Sequence, residues 1–330
     1  MQKRQLGKDG PRVGAVGLGC WSFAGSYGPT DVKESHATLA KALELGVDFL
    51  DTANVYGMGV SEQAIGAFLK DHPNRFKIAT KAGIRRDPET NARGFDNSAE
   101  HLREALETSL KTLGLDHVDL YYMHRRDQRI PIEDVMETLV RFKEEGKIGG
   151  IGFSEIAPTS LHRACAVHPV MAVQSEYSLW TRGPELGMIR ACRDLGVAFV
   201  PFSPLGRGVF AKRAPDPATF AKGDFRIGTP RFTEPNFSAN MKALEPFKEF
   251  AAVKGTTPAA LAIAWVLSRG EHLIPIPGTR SAAHLEDCAA GAALTLSPQD
   301  LAEIDRILPP GFAHGDRYND TQWVGVERYC

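Results

Sequence analysis

The sequence predicts a (β/α)₈ barrel with an N-terminal β-hairpin. Short apolar runs alternate strictly with helix-patterned stretches, which is the pattern of a parallel sheet covered by helices. About eight such units follow one another along the 330 residues, the barrel number. Three of the runs end in a polar side chain. Val47-Asp48-Phe49-Leu50 leads into Asp51, Phe76-Lys77-Ile78-Ala79-Thr80 into Lys81, and Val118-Asp119-Leu120-Tyr121-Tyr122-Met123 into His124. In a barrel the carboxyl ends of the strands open on one mouth, and that is where barrel enzymes keep their chemistry. An open doubly wound sheet is the competing arrangement. Gly17-Leu18-Gly19 runs into Cys20-Trp21-Ser22, however, and lacks the third glycine of a dinucleotide fingerprint.

The elements can be justified in order. Lys8-Asp9-Gly10 is a turn between Gln5-Leu6 and Arg12-Val13, giving the hairpin. Ala15-Val16-Gly17-Leu18-Gly19 reads as the first buried strand. A helix follows from Asp31, a side chain suited to the N-cap, to Leu45, with Gly46 ending it. Ser61-Glu62-Gln63-Ala64 opens a second helix that stops before Pro73. Asn97 and Ser98 are both offered as caps of a third, which runs to Leu113 and ends at Gly114. Ile132 to Glu145 forms the next helix, before Gly146. Residues 148–154 form a strand, and Pro158 starts a helix at a position where proline is favoured. Met171 to Gln174 is a strand, Glu185 to Leu195 a helix closed by Gly196, and Val197 to Ser203 a strand. Pro258 to Leu267 is helical, and Leu273-Ile274-Pro275-Ile276-Pro277 is the last strand. The segment from Gly206 to Asn236 is rich in Gly, Pro, Arg and Lys and has little periodicity; so long a loop suggests a lid.

Composition narrows the function classes. Hydrophobic residues make up 43% and charged residues 24%, and the formal net charge is −1, so no field gathers nucleic acid or an anionic membrane. The whole of 1–330 is read as one barrel domain. The five cysteines, Cys20, Cys165, Cys192, Cys288 and Cys330, are odd in number and irregularly spaced, which argues against a disulfide framework or a zinc ribbon. The first ten residues lack the pattern of a secretory signal, and no apolar run has the length of a membrane span. A reducing, cytoplasmic home is the expectation. Zinc-protease, EF-hand and Walker motifs are missing, so no metal is expected. Nothing in the sequence sets an oligomeric state.

Tyr56 lies five residues beyond Asp51, on the loop leaving that strand. A free phenol has a pKa of about 10, and a nearby ammonium stabilises its anion. Lys81 can supply that charge, Asp51 can hold Lys81, and His124 can hydrogen-bond a substrate oxygen. Each residue alone has an ordinary structural reading: a cap, a surface ion pair, a packed ring. Together they make a proton donor to a carbonyl, and the carbon must then receive a hydride, which no side chain carries. A nicotinamide cofactor supplies it. Trp21, directly after the first strand, and Trp180, after the sixth, are expected to wall the substrate pocket.

Residues Gly46-Val47-Asp48-Phe49-Leu50-Asp51-Thr52-Ala53, with Tyr56-Gly57 and Ser61-Glu62, resemble the signature of the aldo-keto reductases. The His124 strand and Gly146-Lys147-Ile148 to Gly152-Phe153-Ser154 resemble further motifs of that family, and the pyridoxal-reductase-like bacterial branch in particular. The resemblance implies Tyr56 as general acid/base, Lys81 and Asp51 as its tuning pair, and His124 as the substrate orienter. It implies Ser154, Glu155 and Gln174 on the nicotinamide carboxamide, with Glu155 where many members have Asn. Phe202 would stack on the nicotinamide, and Ser203, Leu205 and Gly206 would line the pyrophosphate. Gly278 and Arg280, in Pro277-Gly278-Thr279-Arg280, would receive a 2′-phosphate, with His284, Asp287 and Cys288 beyond. NADPH is therefore the expected cofactor, with NADH as the alternative, and a small carbonyl compound the expected partner. Two other readings share the scaffold. Channel-associated β subunits resemble such reductases but act largely as binding partners, and an aldolase-like barrel would use Lys81 as a Schiff-base amine. Pocket specificity is expected in the long loops and in the tail from Leu308 to Cys330.

Overall fold

A computed structural model describes residues 1–87, 89, 90 and 92–328; the last two residues of the tail, Cys330 among them, lie outside these. Among the described residues one sheet holds seven parallel strands in the order Leu18–Gly19, Phe49–Asp51, Lys77–Ala82, Leu120–Met123, Ile151–Ser154, Ala172–Glu176 and Ala198–Phe202. The eighth segment, expected at residues 273–277, touches both edges but forms only isolated bridges, Phe199 to Leu273, Phe202 to Ile276, and Gly19 to Gly278. The cause is its two prolines. Ile274 and Ile276 donate backbone N–H groups to Phe199 and Pro201 on one side. On the other, Pro275 and Pro277 have no N–H to give and only accept, from Gly17 at 2.9 Å and Gly19 at 3.1 Å. The sheet is thus nearly closed into the (β/α)₈ barrel that the alternation predicts.

Strand alternation sorts the side chains into an inner and an outer set. Phe49, Ala79, Leu120, Tyr122, Ala172, Ala198, Val200, Ile274 and Ile276 pack together inside the barrel. Leu50, Ile78, Tyr121, Met123, Ile151, Phe153, Val173 and Phe199 face outward and pack into the larger layer with the helices. The hairpin, Lys3–Gln5 with Arg12–Gly14, sends Leu6 and Val13 into the inner cluster and so plugs the end of the barrel remote from the mouth. Arg4 locks the plug by donating to the carbonyls of Leu267, Gly270 and Leu273.

The helix signals act as their chemistry dictates. Asp31 caps Val32–Leu45 by accepting from the Glu34 N–H, and Gly46 ends it in the left-handed region. Of the two candidate caps, Ser98 serves Ala99–Leu113, whereas Asn97 accepts from the Asp127 N–H and donates to the Arg125 carbonyl, bracing the loop after His124. The expected helix from Glu185 to Leu195 is two pieces, a 3₁₀ turn Gly183–Leu186 and the α-helix Met188–Leu195, divided at Gly187. Periodicity did not mark the antiparallel pair Ile84–Arg86 with Arg93–Phe95, or the helices Asn236–Val253, Ala282–Ala290 and Pro298–Ile307. Among the described residues no single helix is long and apolar enough to cross a membrane.

Candidate active site

The period of two that fills the barrel also builds the site. Continue each inner row one step beyond Phe49, Ala79, Tyr122, Ala172 and Val200, and the next inward residues are Asp51, Lys81, His124, Gln174 and Phe202. Ser154 pairs in register with Gln174 and completes the ring. Each of these polar side chains therefore stands on a rigid strand end above a packed apolar layer, which fixes its position to within the tolerance of the sheet.

At the centre is a buried chain of contacts. Lys81 is fully buried, forms an ion pair with Asp51, donates to the Thr52 carbonyl at 2.7 Å and to the Tyr56 hydroxyl at 3.3 Å. Gln174 donates to the other Asp51 oxygen at 2.7 Å. Burial raises the Asp51 carboxyl, against the pull of Lys81. Burial alone would lower Lys81, but the charges and hydrogen bonds of Asp51 and Tyr56 outweigh it, and the ammonium is held above its ordinary value. For Tyr56 the balance differs from the sequence expectation. Lys81 does pull the phenol down, but burial is larger and the net shift is upward, so the hydroxyl keeps its proton. His124 faces Tyr56 edge-on at 5.8 Å between ring centres. Burial, then the positive charges of Arg125, Lys81 and Arg93, hold it well below the usual histidine range, so the imidazole is neutral. Its Nδ1 is buried without a partner, which leaves Nε2 for the cavity.

These residues lie at one end of a cavity of about 1450 Å³. Asp51, Tyr56, His124, Ser154, Gln174, Phe202, Ser203, Leu205, Gly278, Arg280, His284, Asp287 and Cys288 all line it, as does Trp21. Lys81 is not among the lining residues; it is buried and reaches the Tyr56 hydroxyl. Arg280 already has partners, donating to the Tyr27 carbonyl at 3.2 Å and lying 3.5 Å from the Glu34 carboxylate. Asp287 accepts from the Thr257 hydroxyl at 2.5 Å, which ties its helix to the neighbouring one.

Three expected contacts are corrected. Glu155 does not line the cavity. It is buried, its carboxylate is gripped by Arg317 from the C-terminal tail, and it also accepts from the Glu176 N–H at 2.8 Å. Burial would raise its carboxyl, but Arg317 more than offsets this and the group stays ionised. A buried carboxylate takes the cation it can reach, and that leaves it committed within the protein. Trp180 does not wall the substrate pocket either. It is buried against Phe232, 5.5 Å between ring centres, with the Arg231 guanidinium over its face. Gly206 contributes backbone geometry rather than lining. Its φ is +55°, and a Cβ there would come within 2.7 Å of the Trp180 ring.

The strand-end pattern that singles out His124 does not single out its neighbour. Arg125 lines the cavity and donates to the Ser154 hydroxyl at 2.9 Å. Arg93, on the strand pair after Lys81, and Tyr27, Arg207, Phe225 and Tyr318 line it too. The run His124-Arg125-Arg126 was the available signal for the first of these; the others are joined only by the fold.

A model of the aldo/keto reductase family matches residues 15–309. An aldo-keto reductase of Schizosaccharomyces pombe, named as an NADP(+) enzyme, is 38% identical over 96% of this chain and 94% of its own. A probable aldo-keto reductase of Glycine max is 39% identical, covering 96% and 92%. Among solved structures, a glycerol dehydrogenase of Gluconobacter oxydans superposes with a TM-score of 0.84 at 26% identity, over 93% of this chain and 94% of that one.

Proposed function

The chain belongs to the aldo/keto reductase family and is an oxidoreductase; from that premise we propose that it reduces an aldehyde or ketone to the alcohol with NADPH, and that Tyr56 gives the proton. The observation that carries this reading is the buried Asp51–Lys81–Tyr56 chain beside a neutral His124. Tyr56 is a weak acid whose anion is stabilised by the Lys81 ammonium, so it can release a proton as negative charge grows on a substrate oxygen and regain it afterwards. His124, being neutral, can donate one hydrogen bond to that oxygen without carrying a charge of its own. A Schiff-base role for Lys81 would need a neutral amine, and the pairing with Asp51 works against that.

The cofactor fits the donor set. Ser154 and Gln174 offer a hydroxyl and an amide at the reacting end, Phe202 an aromatic face beside them, and Ser203 and Leu205 a turn along the wall. Arg280 offers a cation at the far end for a 2′-phosphate, in keeping with the NADP(+) named for the yeast relative. When bound, the nicotinamide supplies a hydride to the carbonyl carbon. The pyridoxal-reductase-like branch, an arrangement as a single domain and a cytoplasmic location remain parts of the same proposal.

The test is Tyr56→Phe, which keeps the ring and removes the proton. Carbonyl reduction should fall by about 10²-fold or more while NADPH binding, followed by protein fluorescence, is retained. Wild-type turnover in this variant would refute the assignment.

A further inference from the structure

The reacting end of the cavity is lined by Arg93 and Arg125, neither of which forms an ion pair among the described residues, and the Glu155 carboxylate that Arg125 helps to hold ionised is gripped by Arg317. Arg93 is half-buried, lines the cavity, and rests on the Phe95 ring at 5.1 Å; among the described residues its side chain has no hydrogen bond or ion pair. Arg125 is buried and uses only Nη1, which donates to the His124 carbonyl at 2.6 Å and to the Ser154 hydroxyl. Its Nε is buried without any partner. Arg86, on the strand opposite Arg93, lines the same wall. The acids that line the cavity are Glu34, Asp51, Glu286 and Asp287. Asp51 is taken by Lys81, Glu34 faces Arg280, and the other two belong to the helix that follows Arg280.

The charges of these arginines act on one another. Burial first, then Arg125 and Arg86, push Arg93 down to about 10. Arg125 and Arg93 both help to hold His124 neutral, so their charge reaches the reacting centre. The positions are also fixed in advance. Asn97 braces the Arg125 carbonyl and the Asp127 N–H, and the Ile84–Arg86/Arg93–Phe95 pairing sets where Arg93 stands. Charge that is costly to gather in a half-buried wall, and held there by structure, is the usual form of a site that receives the opposite charge.

We propose that Arg93 and Arg125 form an oxyanion-recognition wall beside Tyr56 and His124, so that the preferred carbonyl substrate carries a carboxylate or a phosphate. This rests on the reductase reading above for the identity of the reacting end. Guanidinium groups match either oxyanion through paired N–H donors, while Trp21, which packs on Tyr56 with 5.9 Å between ring centres, offers an apolar face for the rest of the molecule.

Three probes of one shape separate the possibilities: 4-carboxybenzaldehyde, 4-formylphenyl phosphate and the neutral 4-formylbenzamide. Each is titrated calorimetrically into the protein held in excess NADP⁺, and each is assayed for NADPH oxidation. At least one anionic probe should bind about 10-fold or more tightly than the amide, as expected for a charge-assisted contact, and the better of the two names the oxyanion. In Arg93→Gln the ratio of the anionic to the neutral affinity should collapse towards one. Equal affinities for all three probes in the wild type would overturn the proposal, as would a ratio that survives in Arg93→Gln. If the affinity ratio behaves as expected but no probe is reduced, the anion wall stands and the reductase reading falls.

Discussion

Tyr56 sits between two opposed demands, and its neighbours set where the balance falls. Burial favours the neutral phenol, Lys81 favours the phenolate, and burial is the larger effect. Asp51 contributes twice: it keeps Lys81 charged although the ammonium is fully buried, and its own negative charge raises Tyr56 further. An acid that keeps its proton until the substrate oxygen becomes negative is what carbonyl reduction requires. His124 is neutral for an independent reason, since burial and three cations disfavour a fourth positive charge. The pH dependence follows with its sign. A histidine lowered well below the usual range is already neutral there, so kcat/KM for reduction of a neutral aldehyde should be level through the usual histidine pKa of about 6.5. A phenol raised above its usual value keeps its proton through neutrality, so the rate should fall only on the alkaline side, above about pH 10. A midpoint near 6.5 in the rate profile would show that His124 ionises there and would contradict this account.

At the scale of elements, the C-terminal tail is stitched to the mouth through charge. Arg317 grips Glu155 at the end of Ile151–Ser154, and its Nη1 lies 3.5 Å from Glu176 at the end of Ala172–Glu176. Arg207, from the long loop, pairs with the same Glu176 at 2.7 Å and is stacked between Phe225 and Tyr318. Two strand ends, one loop and the tail thus share a buried network, in which removing one charge strands another. Arg317→Met should lower stability by about 3–5 kcal/mol, as loss of one partner from a buried pair does, measured from denaturant midpoints. The double variant with Glu155→Gln should recover much of that, because an amide can be buried at less cost than an unpaired carboxylate. No recovery would mean that Arg317 acts through packing alone. The same network explains a limit of the sequence. Asp51, Lys81 and His124 were legible because each ends a run whose period puts it on the inner row. Glu155 directly follows Ser154, so the period of two already puts it off the inner row; its φ is +56°, and its partner lies 162 residues away in a tail without periodicity.

For the whole molecule, one end of the barrel is sealed by the hairpin and the other is framed by everything that is not barrel. The eight strand segments and the helices between them were legible from alternation, whereas the helix Ala282–Ala290 after the last was not, and Pro275 and Pro277, which make the weak seam, lie in what reads as an ordinary last strand. The long loop was legible only as irregular chain, because its anchors are scattered through the sequence. Its beginning is held by Arg207 on Glu176. Further along, Phe225 N–H donates to the Ser26 carbonyl at 3.3 Å, Arg226 pairs with Asp224, and Arg231 donates to the Thr181 hydroxyl at 2.8 Å. The segment read as a lid, from Gly206 to Asn236, is therefore fastened at both ends. Exposure concentrates in about residues 211–223, and within them Ala211, Lys212, Arg213 and Pro215 line the cavity. Lys212 and Arg213 are exposed cations on a stretch with few tertiary ties, which is the low-stability kind of segment from which lids are drawn. The clasp is thus predicted to be the tip alone. On addition of NADPH, amide hydrogen exchange should slow in residues 211–223 and change little in 224–236, and cofactor binding followed by stopped-flow fluorescence should show a slow step after the first encounter. Replacing Lys212 and Arg213 together by Gln should remove that slow step and speed cofactor release. Exchange at the tip that ignores NADPH, or a slow step that survives the double replacement, would leave the tip as surface chain and assign retention of the cofactor to the rigid wall from Phe202 to Leu205.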